Sequence, residues 1–182
     1  MSGAMHRRRF AGALAGLAAA SFANESVARA RSSPEQRLSA LGLTLPPAPA
    51  PVATYAPYRR SGRTLYLSGI GPAAGGESFS GRLGAELSVE QGYAAARATG
   101  INVLSQLRGA CGSLDRVRRC LHVGVFVASA DDFHDQPRVA NGATDLFVEI
   151  FGEAGLGARF AIGVNTLPFN IPVEIESVWE LR

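Results

Sequence analysis

An arginine and a glutamate in the last part of the sequence have side chains suited to chemistry on a small acid. Arg159 begins one apolar stretch, and Glu174 lies within the next. A guanidinium can hold a carboxylate through two parallel hydrogen bonds. A glutamate can position a water molecule or exchange a proton. The two residues therefore predict a site that binds, and could transform, a small carboxylic acid.

Strand periodicity predicts which face of a sheet these side chains occupy, because successive side chains point to opposite faces. The apolar residues after Arg159 are expected to pack beneath helices: Phe160, Ile162 and Val164. Arg159 and Ala161 are then expected on the face that the helices leave bare. Glu174 alternates with apolar residues and is expected on that bare face too. An ion pair within an interface is the alternative that this pattern leaves open.

Two long helices must position this pair. An S-x-x-Q capping box at Ser88 predicts a helix that runs to Ala110. Asp135, followed by Pro137, predicts the start of a second helix, which Gly152 ends. The expected buried stripe of the second helix follows helical spacing: Val139, Ala143, Leu146, Phe147 and Ile150.

Strands are predicted at 64–69, 116–127, 159–165 and 172–180. One face of the second strand is expected to be buried: Leu121, Val123, Val125 and Val127. The order of elements predicts an α+β fold, a mixed sheet with two long helices on one face. The other face then needs cover, which association with further copies of the chain would supply.

The first thirty residues have the pattern of a twin-arginine export signal. Arg7-Arg8-Arg9-Phe10 precedes an uncharged run, and Ala28-Arg29-Ala30 matches a signal-peptidase site. The run is too short to span a membrane. We therefore expect residues 1–30 to be a signal peptide, and the mature protein to be periplasmic or otherwise exported without stable membrane association. An uncleaved anchor is the alternative.

Residues 31–57 are expected to form a short helix and a Pro- and Ala-rich arm, and 58–182 to form one domain. Residues 1–30 contain four arginines and one glutamate, so they account for the whole formal net charge of +3. The remainder is formally neutral, which argues against a nucleic-acid partner.

Other motifs give no support for a cofactor or a metal. The segment 69–74 matches G-x-G-x-x-A, but Gly75 and Gly76 would break the helix that a dinucleotide site needs. The acidic cluster at 131–135 is expected to cap the start of the second helix and complement its dipole, rather than to bind metal. Cys111 and Cys120 are expected to be buried thiols, with a disulfide as the alternative in an oxidising compartment.

Five short segments, in this order, resemble the RidA (YjgF) family: Ala56-Pro57-Tyr58, Leu67-Ser68-Gly69, Val139-Ala140-Asn141, Ala158-Arg159 and Pro172-Val173-Glu174-Ile175-Glu176. The longer arm before Tyr58 and the segment 112–117 resemble a longer, little-characterised branch of that family. The resemblance implies a chorismate-mutase-like fold, usually a homotrimer, with ligand sites in the clefts between subunits.

The resemblance also implies hydrolysis of reactive 2-imino and enamine acids to 2-oxo acids and ammonia, without a cofactor or metal. Arg159 would bind the substrate carboxylate, and Glu174 would help to position the attacking water. Four further residues would line the cleft: Tyr58, Ser68, Gly69 and Asn141. Ala161 stands where deaminases of the family commonly have a cysteine, which implies a roomier and less polar pocket. A non-catalytic periplasmic module that binds or senses small carboxylates is the alternative function.

Overall fold

The computed structural model describes residues 32–72 and 79–182. The expected signal peptide at 1–30 and the end of the G-x-G-x-x-A segment lie outside these ranges. Three α-helices form within them: α1 (Pro34–Ala40), α2 (Val89–Cys111) and α3 (Gln136–Phe151). Five strands accompany the helices: β1 (Tyr58–Ser61), β2 (Thr64–Ile70), β3 (Val117–Ala128), β4 (Ala158–Val164) and β5 (Val173–Leu181).

The five strands form one mixed sheet in the order β1-β2-β5-β3-β4. Strands β3 and β4 run parallel and are joined through α3, whereas the other neighbours are antiparallel. Helices α2 and α3 pack together on one face, as the sequence predicts. Strand β4, which carries Arg159, is an edge of the sheet. No helix in the described ranges is long and apolar enough to cross a membrane.

The ends of the long helices follow from local signals in the sequence. At the start of α2, the Gln91 backbone N–H donates to Ser88 Oγ (3.3 Å), and the Ser88 N–H donates to Gln91 Oε1 (2.9 Å). Gly112 follows α2 with φ +82°, a conformation that glycine adopts without strain. Helix α3 begins after Asp135, whose side chain makes no capping hydrogen bond, contrary to the prediction.

The core lies between the sheet and the two long helices. All five residues of the predicted α3 stripe are fully buried, as are Val123, Val125 and Val127 of β3. Leu121 is only half-buried, because the pairing of β3 with β5 shifts between Cys120 and His122. Cys120 is therefore buried in its place. Trp179 packs edge-on against Phe147, with ring centroids 5.2 Å apart.

Both cysteines are free and buried. Cys111 lies at the end of α2, and Cys120 lies in β3. Burial raises the pKa of the Cys120 thiol to about 12. This thiol is therefore protonated and inert at neutral pH.

Three arginines cluster at one end of the sheet, although the formal charge of the domain is neutral. Arg63, Arg118 and Arg119 contact Glu180 at 3.1, 2.9 and 2.7 Å. Three guanidinium groups thus share one carboxylate, and this end of the sheet carries excess positive charge.

The two long helices touch backbone to backbone at Gly142 of α3. A Cβ atom there would overlap the carbonyl oxygen of Tyr93 and lie 3.0 Å from the backbone nitrogen of Arg97, both on α2. Gly100 of α2 makes a similar approach, since its Cβ would lie 3.2 Å from the Cα of Ala143. Glycine at these positions lets the helices lie close enough to cover one face of the sheet.

We predict that Gly142→Ala destabilises the fold by about 3 kcal/mol or more, because neither helix backbone can yield without moving the core. Thermal unfolding should show a Tm lower by roughly 5–10 °C. Gly109→Ala is the matched control, since Gly109 is exposed on α2 and its Cβ would meet only the Cβ of Ala48 at 3.2 Å. The control should leave the Tm unchanged or slightly higher, and equal losses in the two variants would contradict the packing argument.

Candidate functional site

Arg159 lies on the face of the sheet opposite to the one predicted. In the parallel pairing of β3 with β4, Arg159 is opposite Val123 and Ala161 is opposite Val125. Both valines are fully buried beneath the helices. Phe160 and Ile162 therefore point to the bare face. The prediction was wrong because β4 is an edge strand, where the helix side of the sheet is polar and partly open.

The guanidinium of Arg159 is held by two neutral side chains of α3. Its Nη1 donates to Asn141 Oδ1 at 2.8 Å and to Thr144 Oγ1 at 3.0 Å. Asn141 and Thr144 are three residues apart and therefore share one face of the helix. We call Arg159, Asn141 and Thr144 the cation half-site. The sequence alone does not single out Thr144, although its helical spacing from Asn141 is a signal that could identify it.

No carboxylate lies within ion-pair distance of Arg159 in the part of the chain that the structure describes. Arg159 is exposed, and its Nε and Nη2 donors make none of the hydrogen bonds described. The side chain is thus oriented by Asn141 and Thr144 while most of its donors stay available. This arrangement suits the binding of a carboxylate from solution.

Glu174 lies on the bare face, as predicted, beside Gly69. A Cβ atom at Gly69 would overlap Glu174 Oε1, so only glycine lets the carboxyl group lie against the β2 backbone. The pairing of β2 with β5 is interrupted between Leu67 and Ile70, and this irregularity places Gly69 against Glu174. Burial raises the pKa of the half-buried Glu174 carboxyl. Ser68, Gly69 and Glu174 form what we call the acid half-site.

The Pro- and Ala-rich arm fixes Ser68. The Ser68 hydroxyl donates to the carbonyl of Ala56 at 2.6 Å, and its backbone N–H donates to the carbonyl of Pro57 at 3.1 Å. The hydroxyl therefore retains acceptor capacity toward a ligand, but its proton is committed to the arm.

Two other predicted site residues lie on the helix side of the sheet. Tyr58 pairs with Leu67 and packs against the core, so its ring is not beside Glu174 within one chain. Ala161 lies two residues beyond Arg159 on the same face and packs partly against the core. Neither residue contributes to the acid half-site of its own chain.

The two half-sites lie on opposite faces of one sheet, so a single chain does not bring Arg159 and Glu174 together. The bare face also presents apolar side chains. Phe160 packs against His122 and Phe126, with ring centroids 5.5 and 5.4 Å apart. Ile162, the next residue along that face, is 46% exposed. Among the described residues, no group of three His, Cys, Asp or Glu side chains could hold a metal ion.

Comparison with known proteins identifies relatives of this chain. Residues 35–178 match a family described as "YjgF/chorismate_mutase-like, putative endoribonuclease". A Trypanosoma cruzi protein, Protein TCP17, is 47% identical over 147 residues, which are 80% of this chain and 92% of the relative.

Two solved structures are similar in fold and sequence. The Agrobacterium tumefaciens protein Atu1372, of unknown function, is 39% identical with a TM-score of 0.76 over 82% of this chain and 92% of its own. A Shewanella oneidensis "putative endoribonuclease" is 36% identical with a TM-score of 0.79 over 82% of this chain and 100% of its own.

We predict that Glu174→Gln makes the protein more stable than wild type at neutral pH. Burial raises the folded-state pKa, so ionised Glu174 costs stability, and wild type should lose stability relative to the variant as pH rises above the ordinary value of 4.5. Below that value both side chains are neutral, and the difference should stay constant. Urea unfolding at a series of pH values measures it.

Glu86→Gln is the control of opposite sign. The Arg82 backbone N–H donates to Glu86 Oε2 at 2.8 Å and lowers the pKa of that carboxyl. Ionised Glu86 therefore stabilises the fold, and its advantage over glutamine should vanish as pH falls through the lowered pKa. A difference between Glu174→Gln and wild type that does not change with pH would contradict the burial of Glu174.

Proposed function

This chain belongs to the YjgF/chorismate mutase-like family, the RidA family, and from that premise we propose that it hydrolyses reactive 2-imino and enamine acids to 2-oxo acids and ammonia. The observation that carries the proposal is Arg159, a guanidinium held in place by two neutral acceptors with its remaining donors available. Such a group binds the carboxylate that every 2-imino acid carries.

The reaction needs water and a group that carries protons. Water attacks the imine carbon, a C–O bond forms, and the electrons of the C=N bond move to nitrogen. The new hydroxyl group then loses its proton, its electrons form the C=O bond as the C–N bond breaks, and the nitrogen takes up that proton and leaves as ammonia, with the 2-oxo acid as the other product. Glu174, with its pKa raised by burial, is suited to take a proton from the water and return it to the nitrogen.

The complete site requires two copies of the chain. Within one chain, Arg159 faces the helix side at the β4 edge, while Glu174 faces the bare side. We infer that the cation half-site of one copy meets the acid half-site of the next. An interface that joins two different surfaces gives a closed ring when its rotation closes, and an open filament when it does not. The homotrimer implied by the family resemblance would contain three such interfaces and three complete sites.

This assembly would also cover the bare face. Ile162 and Phe160 lie there, and an exposed apolar sheet face is typical of an interaction surface. The complete site would then form at the same time as Phe160 and Ile162 become buried.

We predict that Arg159→Ala lowers kcat/KM for 2-iminobutanoate by about 100-fold or more, because the variant loses a charge-assisted two-bond contact with the carboxylate. Arg159→Lys should be intermediate, since lysine keeps the charge without the forked geometry. The imine is generated from threonine by a dehydratase, and its decay is followed with purified protein. Arg116→Ala, at an exposed residue just before β3, is the control and should keep wild-type activity.

If wild type and Arg159→Ala are equally inert in this assay, the hydrolase proposal is wrong. A 2-oxo acid that still raises the Tm of wild type, but not of Arg159→Ala, would then favour the alternative, a binding or sensing module.

We predict that two inactive variants restore activity when they form one oligomer. Arg159→Ala keeps the acid half-site, and Glu174→Gln keeps the cation half-site. In equal mixtures assembled by co-expression with two different tags, about a quarter of the interfaces would pair two intact half-sites, and activity should reach about a quarter of the wild-type value. Separately purified variants, assayed without exchange of subunits, are the control.

A mixed oligomer with no activity would show that the half-sites do not meet between copies. A monomer in light scattering of active wild-type protein would have the same consequence.

A further inference from the structure

A cavity of about 310 Å³ adjoins the cation half-site on the outer side of the helix layer. It is lined by Val89, Glu90, Tyr93, Arg138 and Asn141. Asn141 belongs to both places, because it borders the cavity and accepts the hydrogen bond from Arg159. A ligand whose carboxylate is bound by Arg159 therefore has this cavity beside it. Neither the family description nor the reaction proposed above assigns a role to the cavity.

Arg138 is the cationic group of the cavity, and it is only loosely paired. Its Nη1 lies 3.4 Å from Asp135 Oδ2, and the two side chains are 62% and 49% exposed. An exposed pair of this kind contributes little and exchanges readily for another anion. Arg138 and Asn141 are three residues apart on α3, which places them about 5–6 Å apart on one helix face. Two arginines thus flank Asn141, each able to receive a carboxylate.

The other residues that line the cavity suit a short aliphatic chain between two carboxylates. Val89 is apolar, and the Tyr93 hydroxyl is fixed by donation to Asp145 Oδ2 at 3.0 Å, so its ring offers a rigid surface. Glu90 is the acidic residue in the lining. Hydrogen bonds from its own backbone N–H and from Ser88 lower its pKa, and the positive charge of Arg138 lowers it further, so Arg138 faces two carboxylates, those of Asp135 and Glu90. Arg138 is left as the group that would select the charge of a ligand.

We propose that the acids bound at this site are dicarboxylates: Arg159 holds the carboxylate next to the reacting carbon, and Arg138 holds a second carboxylate across two or three methylene groups. The inference rests on the proposed function for the role of Arg159, and it adds a substrate class, 2-imino and 2-oxo diacids. The cavity then accommodates the side chain of the substrate, and Arg138 sets specificity.

Calorimetric titration of the full protein with stable 2-oxo acids tests the proposal. The probes are 2-oxoglutarate, a diacid, and 2-oxobutanoate, which lacks the second carboxylate. Wild type should bind the diacid about tenfold more tightly, as expected for one added charge-assisted contact. In Arg138→Gln the ratio of the two affinities should fall to about one, whereas the control Arg116→Gln should keep the wild-type ratio. Asp135→Asn should raise the ratio, because Arg138 loses one of its two competing carboxylates.

The outcomes separate this inference from the proposed function. Binding of 2-oxobutanoate that is lost in Arg159→Ala, together with no preference for the diacid, overturns the inference and leaves the carboxylate site intact. A preference for the diacid that persists in Arg138→Gln also overturns it. Failure of wild type to bind either acid removes the Arg159 site and, with it, both proposals.

Discussion

The close contact of α2 and α3 at Gly142 is the constraint on which the rest of the structure depends. Because the two backbones touch there, both helices fit side by side on one face of a five-stranded sheet and bury Trp179 and the β3 valines beneath them. The same contact fixes the rotation of α3 about its axis. The apolar stripe then points inward, and Asn141 and Thr144 point toward the β4 edge. The position of Arg159 therefore follows from helix packing as much as from its own strand.

Covering one face completely leaves the other face of the sheet bare. A carboxyl group on such a face has no helix to shield it, yet Glu174 is half-buried and its pKa is raised. The shielding comes from the β2 backbone at Gly69, since a side chain there would displace the carboxyl group. The acid half-site thus depends on the lack of a side chain at Gly69. The cation half-site depends on the two hydrogen bonds that orient Arg159. Neither is complete on its own, which is why we place the reaction between copies.

Local signals were enough to predict most elements of the fold. The capping box at Ser88, the glycine at 152 and the spacing of apolar residues gave both long helices and the buried stripe of α3. The predictions are wrong where the pairing between strands, rather than the periodicity of one strand, decides which face of the sheet a side chain occupies. Cys120 is buried where Leu121 was expected, because the register with β5 shifts between Cys120 and His122. The residue pattern of one strand does not reveal such a shift. The predicted face of Arg159 is wrong because the alternating apolar residues of β4 lie on the bare face and not in the core. Strand β1 was missed because a four-residue edge strand with two arginines lacks an apolar pattern.

The correction at β4 changes the meaning of the two residues that follow Arg159. Phe160 was expected to lie in the core, but it packs on the bare face with His122 and Phe126, so it belongs to the surface that a second copy would cover. Ala161 lies on the side of Arg159, where a small side chain leaves more room near the guanidinium. Phe160 and Ala161 thus act at two separate places. In the proposed assembly, Phe160 would add aromatic surface to the contact between copies, and Ala161 would leave more room on the side of the helix layer, where Asn141 borders the cavity beside Arg138. With this room and a second arginine, the proposed site would favour a longer acid over the smallest imines.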